Sequence, residues 1–273
     1  MARPKSLVPL QEATSVQRIN FCLYSHPGEG KTVFWGTGNE RILILDSDPG
    51  MGTQSAKALG SSALVMPVTD YEELQEAYEY CKHDLHKDYP KVEWVAWDSL
   101  TLFQDRTLID DIMLDAIAEN PKQDEFVPSQ RQYLQSMNRI GRYVRLFVEL
   151  PFHFGVSCHV EMEKDDKDGS SLWMPQVQGK NMPSKVAGYM NLVGYMDKAT
   201  VKQDGKDVKV QRILFEKVGK FYAKDRFNSI GKHLDKPTIP KLESLVLKGS
   251  TASATASASA PTPLRRRRTA TAR

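Results

Sequence analysis

"YSHPGEGKTVF", residues 24–34, decides the fold of this chain. Gly28, Gly30, Lys31 and Thr32 follow an apolar, strand-like run at 18–24 and open a helical pattern that starts at Lys31. A strand, a glycine-rich turn and a helix in that order form the setting in which backbone N–H groups and a helix N-terminus wrap phosphate oxygens. The pattern is G-x-x-x-x-G-K-[ST] with one departure, because Ser25 stands where the first glycine is expected. The glycines that allow the closest backbone approach remain. Ser25, His26, Pro27, Gly28, Glu29, Gly30, Lys31, Thr32 and Val33 therefore read as a nucleotide-binding loop. Lys31 is placed to neutralise the β and γ phosphates of ATP, and the Thr32 hydroxyl to ligate Mg2+.

Two acidic strand ends strengthen this reading. "RILILDSD", residues 41–48, is apolar enough for a strand buried on both faces and ends in Asp46 and Asp48. Asp48 is positioned to orient an attacking water as general base. "VEWVAWD", residues 92–98, ends on Asp98, a Walker B arrangement in which a carboxylate at a strand's C-terminal end holds a metal-bound water. Capping of the following helix is the other reading of Asp98.

The remaining chain alternates short β-rich runs with longer helical patterns. "SALVMPV" (62–68) is a third strand, and Asp70 is set to cap a helix carrying Leu74, Ala77, Tyr78, Cys81 and Leu85 on one side. A helix is expected around 102–119, and after a polar connector a long one with Tyr133, Met137, Ile140, Val144 and Phe147 on one face, ended by Pro151. "FHFGVSCHV" (152–160) is another strand, and 198–226 reads as antiparallel strands turning at Asp204 and Gly205. The expected fold is α/β, a mainly parallel sheet flanked by helices with a C-terminal antiparallel extension.

Composition bounds the rest. The chain has 273 residues and a formal charge of +3, but Arg265, Arg266, Arg267, Arg268 and Arg273 alone exceed that, leaving −2 elsewhere. The body thus has no bulk nucleic-acid footprint. "STASATASASAPTP" (250–263) lacks apolar periodicity. The expected organisation is an N-terminal arm at 1–15, an ATPase domain at 16–248, and a flexible Ser/Thr/Ala linker with an arginine-rich tail at 249–273. That tail is either a solubilising end or a tethered phosphate-binding arm. Cys22, Cys81 and Cys158 lack metal-binding spacing and read as reduced core thiols. With no signal-peptide or membrane-spanning pattern, a cytoplasmic protein without membrane contact is expected.

The order of a glycine-rich loop, "ILILDSD", "VAWDSLTLF", "GVSCHVE" and "AKDRF" resembles the RecA/RadA-type ATPase core over about residues 16–248. Within that group it is most similar to phage-encoded Sak-type single-strand annealing and recombination proteins, chiefly on the phosphate loop, "WDS" and "KDR". The resemblance implies a RecA-like P-loop NTPase core that binds ATP and Mg2+ and assembles as a filament or ring. It also implies ATP hydrolysis stimulated by single-stranded DNA, strand annealing or exchange, a single-stranded-DNA-binding protein as partner, and residence in the host cytoplasm.

Position by position, the resemblance makes Asp48 the water-activating residue, where Glu is usual, and Asp98 the Walker B aspartate. His159 becomes the γ-phosphate sensor, the other reading being a core histidine satisfied by backbone. Lys224 and Arg226 become finger cations reaching a neighbouring subunit's ATP, or else form a solvated strand end. "PQVQGKNMPSKV" (175–186) falls where DNA-contacting loops lie, so Gln178, Gly179, Lys180 and Lys185 are candidate phosphate contacts, with a plain surface loop as the alternative. Arg265 to Arg268 are further candidates. A ParA-like partition ATPase is the competing class, since "LDSDPGMG" resembles its D-x-D-P stretch, but Ser25-His26-Pro27 supplies no second loop lysine. A non-hydrolysing nucleotide-binding accessory or loader is the third.

Overall fold

The computed structural model describes residues 18–256 apart from 165–170, 180, 204 and 218, with side chains through Leu247. The expected arm at 1–15, Lys180, Asp204 and the tail arginines lie outside the described residues. Strand β1 (Asn20–Ser25) sends Phe21 and Leu23 to one face and Cys22 and Tyr24 to the other, all fully buried. Burial on both faces is why these strands read as unbroken apolar runs. Helix α1 (Lys31–Gly36), strand β2 (Ile42–Asp46), helix α2 (Gln54–Ala58), strand β3 (Leu64–Pro67) and helix α3 (Tyr71–His83) follow. Asp70 caps α3 as expected, its carboxylate accepting from the Glu73 N–H at 2.8 Å.

After α4 (Leu85–Asp88) and β4 (Trp94–Asp98), the helix expected at 102–119 is three segments: α5 (Leu100–Thr107), a π-helical stretch (Leu108–Met113) and α6 (Leu114–Glu119). Asp111, in the wider π turn, accepts from the Tyr71 N–H at 3.0 Å and so ties the segment to the start of α3. Helix α7 (Gln130–Glu149) begins at a capping box of Ser129 and Gln132 and buries Ile140, Val144 and Phe147. Tyr133, placed by periodicity on the same face, is exposed, because the buried side of the first turns of α7 is carried by Gln132 and Ser136 instead.

Strand β5 (His153–Lys164) runs past the expected end at 160 and pairs there, antiparallel, with the unanticipated β6 (Ser171–Pro175). Next come α8 (Met182–Tyr189), β7 (Leu192–Gln203), β8 (Lys206–Leu214), β9 (Lys224–Asp225), β10 (His233–Asp235) and α9 (Ile239–Ala256). α8 takes up the second half of the stretch expected as a loop at 175–186. α9 carries helical backbone past the expected domain end at 248. It is anchored by fully buried Leu242 and Val246, and helix propagation from an anchored start is easier than nucleation.

The sheet order is β10-β8-β7-β1-β5-β4-β2-β3, with β6 paired to β5 and β9 to β7. Pairings from β7 through β1, β5, β4 and β2 to β3 are parallel, while β8 and β10 add the antiparallel extension. This is the expected α/β arrangement and a P-loop NTPase fold. One face of the sheet is covered by α3, α5, α7 and α8, the other by α1 and α9. On the second face Trp35 of α1 lies so close to β5 that a Cβ at Gly155 would come within 2.3 Å of its ring. Only glycine admits that contact, and the indole N–H then reaches Ser157 Oγ at 2.6 Å. All three cysteines are buried and free. Among the described residues no helix is long and apolar enough to cross a membrane.

Candidate nucleotide site

The C-terminal ends of β1, β5, β4 and β2, neighbours in the sheet, open onto one cavity of about 380 Å3. Ligands in open α/β sheets bind at this edge. From β1 the chain turns through Gly28 (φ +78°) and Gly30 (φ +93°), both in the left-handed region, and enters α1 at Lys31. A Cβ at Gly28 would meet nothing within 4 Å, so its absence matters for backbone conformation and leaves room at the cavity wall.

Ser25 explains its own departure from the motif. It is the last residue of β1, in extended pairing opposite His159 of β5, and needs no glycine conformation. Its hydroxyl accepts from Lys31 Nζ at 3.0 Å, and the ammonium also donates to the carbonyls of Ser25 and His26, each at 3.3 Å. Lys31 is 7% exposed, and burial pulls its pKa down while the charge of Asp98 opposes the fall.

Thr32 Oγ1 donates to Asp98 Oδ2 at 2.5 Å, which joins the start of α1 to the end of β4. The helix-capping alternative belongs to the next residue, because Ser99 Oγ accepts from the Leu102 N–H at the start of α5. Asp98 is thereby free to serve the cavity. At the end of β2, Asp46 and Asp48 both line it. Asp46 is the buried one, accepting from the Asp48 N–H at 3.0 Å and from Thr53 Oγ1 at 3.3 Å. Burial raises its pKa, and the neighbouring charges of Asp98 and Asp48 act the same way against those hydrogen bonds.

His159 contributes its ring to the cavity from β5, the strand between β1 and β4. Its backbone is held by Thr101 Oγ1 and by the Gln176 N–H. Burial lowers its pKa, and Lys31 adds to the fall. Both effects favour the neutral ring. The loop's other members divide: Pro27 and Val33 line the cavity, while His26 meets the Trp173 ring edge-on at 5.9 Å and Glu29 turns out to Lys198.

Among the lining residues that carry no role in the sequence reading are Asp46 and Gln211. Asp46 was visible at its strand end but passed over for Asp48. Gln211, on β8, arrives from the antiparallel extension and has no motif to announce it.

Other candidates sit elsewhere. Lys224 does not line this cavity, since its ammonium donates to the carbonyls of Ala187 at 2.8 Å and Met190 at 2.7 Å, at the C-terminal end of α8. Arg226 is exposed and pairs with no acid among the described residues. The stretch around Gln178 is pinned, because its N–H donates to Gln104 Oε1 at 2.8 Å and its side chain to Asp105. Lys185 is exposed on α8. Lys180 and Arg265 to Arg268 fall outside the described residues.

The donor set suits a magnesium-bound nucleotide. A hydroxyl and carboxylates are hard oxygen ligands, Lys31 is a cation beside them, and the left-handed glycines line a concave wall. No curated protein matches this chain. A family model described as an AAA domain matches residues 17–227, from just before β1 to just beyond β9. With its phosphate loop, its Thr32–Asp98 contact and this match over most of its length, the chain belongs to the AAA-domain family of nucleotide-binding P-loop ATPases.

Proposed function

We propose that this ATPase is of the RecA-like kind, magnesium-dependent, and works as a homo-oligomer on single-stranded DNA in strand annealing or exchange. The observation that carries the hydrolytic part is the contact of Thr32 Oγ1 with Asp98 Oδ2 across the space that Lys31, Asp48 and His159 also line. Loop N–H groups and Lys31 bind the β and γ phosphates. Thr32 and Asp98 hold Mg2+, which supplies charge neutralisation for phosphoryl transfer. Asp48, less enclosed than Asp46, orients the attacking water, and His159 donates a ring N–H to a γ-phosphate oxygen.

The DNA part rests on the resemblance of the phosphate loop, "WDS" and "KDR" to recombination ATPases. For a finger role in a neighbouring subunit, Lys224 leaves two carbonyls, at about 1.5–3 kcal/mol for each hydrogen bond from a charged donor. Arg226, exposed and unpaired with any described acid, reaches outward without that cost.

ATP hydrolysis is measured with and without single-stranded DNA at two salt concentrations, for the full chain and for a chain ending at Lys248. DNA stimulates turnover, salt weakens the stimulation, and Asp48→Asn binds ATP without hydrolysing it. Absence of stimulation in both chains refutes the DNA role. Full turnover by Asp48→Asn refutes the base assignment.

A further inference from the structure

The β7–β8 hairpin touches the phosphate loop through two residues that face each other across it. Lys198 of β7 and Gln211 of β8 are register partners, and both reach Glu29. Gln211 Nε2 donates to the Glu29 carbonyl oxygen at 3.0 Å, while Lys198 Nζ lies 3.2 Å from Glu29 Oε2. The peptide between Glu29 and Gly30 is planar, so its carbonyl and its N–H point in opposite directions. Fixing the oxygen on Gln211 fixes where the Gly30 N–H points. Gly30 and Gln211 are also matched in shape, since a Cβ at Gly30 would lie 2.1 Å from Gln211 Nε2. The glycine before Lys31 is required by φ +93°, and a Cβ there would push the Gln211 amide off its bond.

We propose that Gln211 is a positioning residue for the phosphate loop. Supported by Lys198, it holds the Glu29–Gly30 peptide with the Gly30 N–H turned toward the bound phosphates, and it thereby couples nucleotide occupancy to the β7–β8 hairpin. Gln211 lies on the cavity wall, so the bond stands next to the ligand it prepares for. The inference rests on the ATPase reading of the same cavity. Coupling is reciprocal: whatever displaces the hairpin weakens nucleotide binding, and bound nucleotide stiffens the hairpin.

The test compares the wild-type chain with Gln211→Ala, Gln211→Glu and Lys31→Ala. KM and kcat for Mg-ATP, binding of a fluorescent ATP analogue, ligand-free melting temperature, and amide hydrogen exchange across β7 and β8 are the readouts. Gln211→Ala raises KM and the analogue's Kd about 3–10-fold, the loss of one hydrogen bond, with a smaller change in kcat. Gln211→Glu keeps length and shape but replaces the donor with a charged acceptor, so it is more impaired than alanine. ATP protects the hairpin amides in the wild type and not in Gln211→Ala. A purely space-filling role predicts Gln211→Glu close to wild type, and that result overturns the inference. So does an unchanged KM and Kd in both Gln211 variants while Lys31→Ala loses ATP. A wild-type chain that neither binds nor hydrolyses ATP overturns the ATPase reading itself, and the inference with it.

Discussion

Glu243→Ala tests whether α9, which lies beyond the family match, is part of the core. Glu243 is 8% exposed, and its carboxylate accepts from Arg41 Nη1 at 3.0 Å, Arg41 Nη2 at 2.9 Å and Trp94 Nε1 at 2.8 Å. Alanine leaves the fully buried indole N–H without an acceptor, which costs about 1–3 kcal/mol. It also leaves Arg41 with Glu93 alone. Breaking a fully buried ion pair costs about 3–5 kcal/mol, but the Arg41 side chain is 33% exposed and water recovers most of that, so about 1 kcal/mol is assigned to it. The expected loss is about 2–4 kcal/mol, or about 5–15 °C in melting temperature for a domain of this size. Glu93→Ala is the control: its side chain is 53% exposed, and its pair with Arg41 contributes at most about 1 kcal/mol. Urea unfolding followed by tryptophan fluorescence and far-UV circular dichroism reads both variants. A Glu243→Ala loss below about 1 kcal/mol, or an equal loss in Glu93→Ala, refutes the reasoning.

Two further predictions concern charge. Asp46→Asn keeps an acceptor for the Asp48 N–H but removes a carboxylate whose pKa burial has raised, so the ligand-free protein melts higher while ATP turnover falls. A lower melting temperature together with full turnover refutes it. His153 and His159 both have pKa values lowered from 6.5, chiefly by burial. Between 6.5 and their folded values the unfolded chain binds more protons, so stability falls as pH drops through that window. The carboxyl of Asp46 contributes with opposite sign, so urea midpoints are compared from about pH 7.5 to 5 in the Asp46→Asn background. His159→Asn flattens the slope, and an unchanged slope refutes the assignment.

How much was legible depended on how local the cause is. The phosphate loop, the strands ending at Asp46 and Asp98, and the Asp70 cap are written in neighbouring residues, because period, glycine position and a capping carboxylate act within a few positions. The end of β5 was not legible. "EMEK" alternates in exposure and stays a strand only because β6 pairs with it. The loop reading at 175–186 missed that Gln178 is held by Gln104 and Asp105, more than seventy positions away, and that α8 starts at Met182. Gln211 is the clearest case. A glutamine in a strand carries no signal until the fold sets β8 beside the phosphate loop, where it meets the Glu29 carbonyl.

The strand order explains why a motif on β1 and a carboxylate on β4 make one site. β5 lies between them, so the two strands are two inter-strand spacings apart, about 9.5 Å. Yet Thr32 Oγ1 and Asp98 Oδ2 are 2.5 Å apart. The chain after Ser25 therefore carries Thr32 across to Asp98, and Pro27, Gly28 and Gly30 along that path line the cavity. The intervening strand contributes its own side chain at the level of Ser25, and that residue is His159, facing the gap between the phosphate loop and Asp98. His159 thus owes its place to sheet order and not to any local motif. The same order brings β7, and with it β8 and Gln211, to the opposite flank of β1. The phosphate loop is held between two walls, one carrying Asp98 and His159 and the other Gln211.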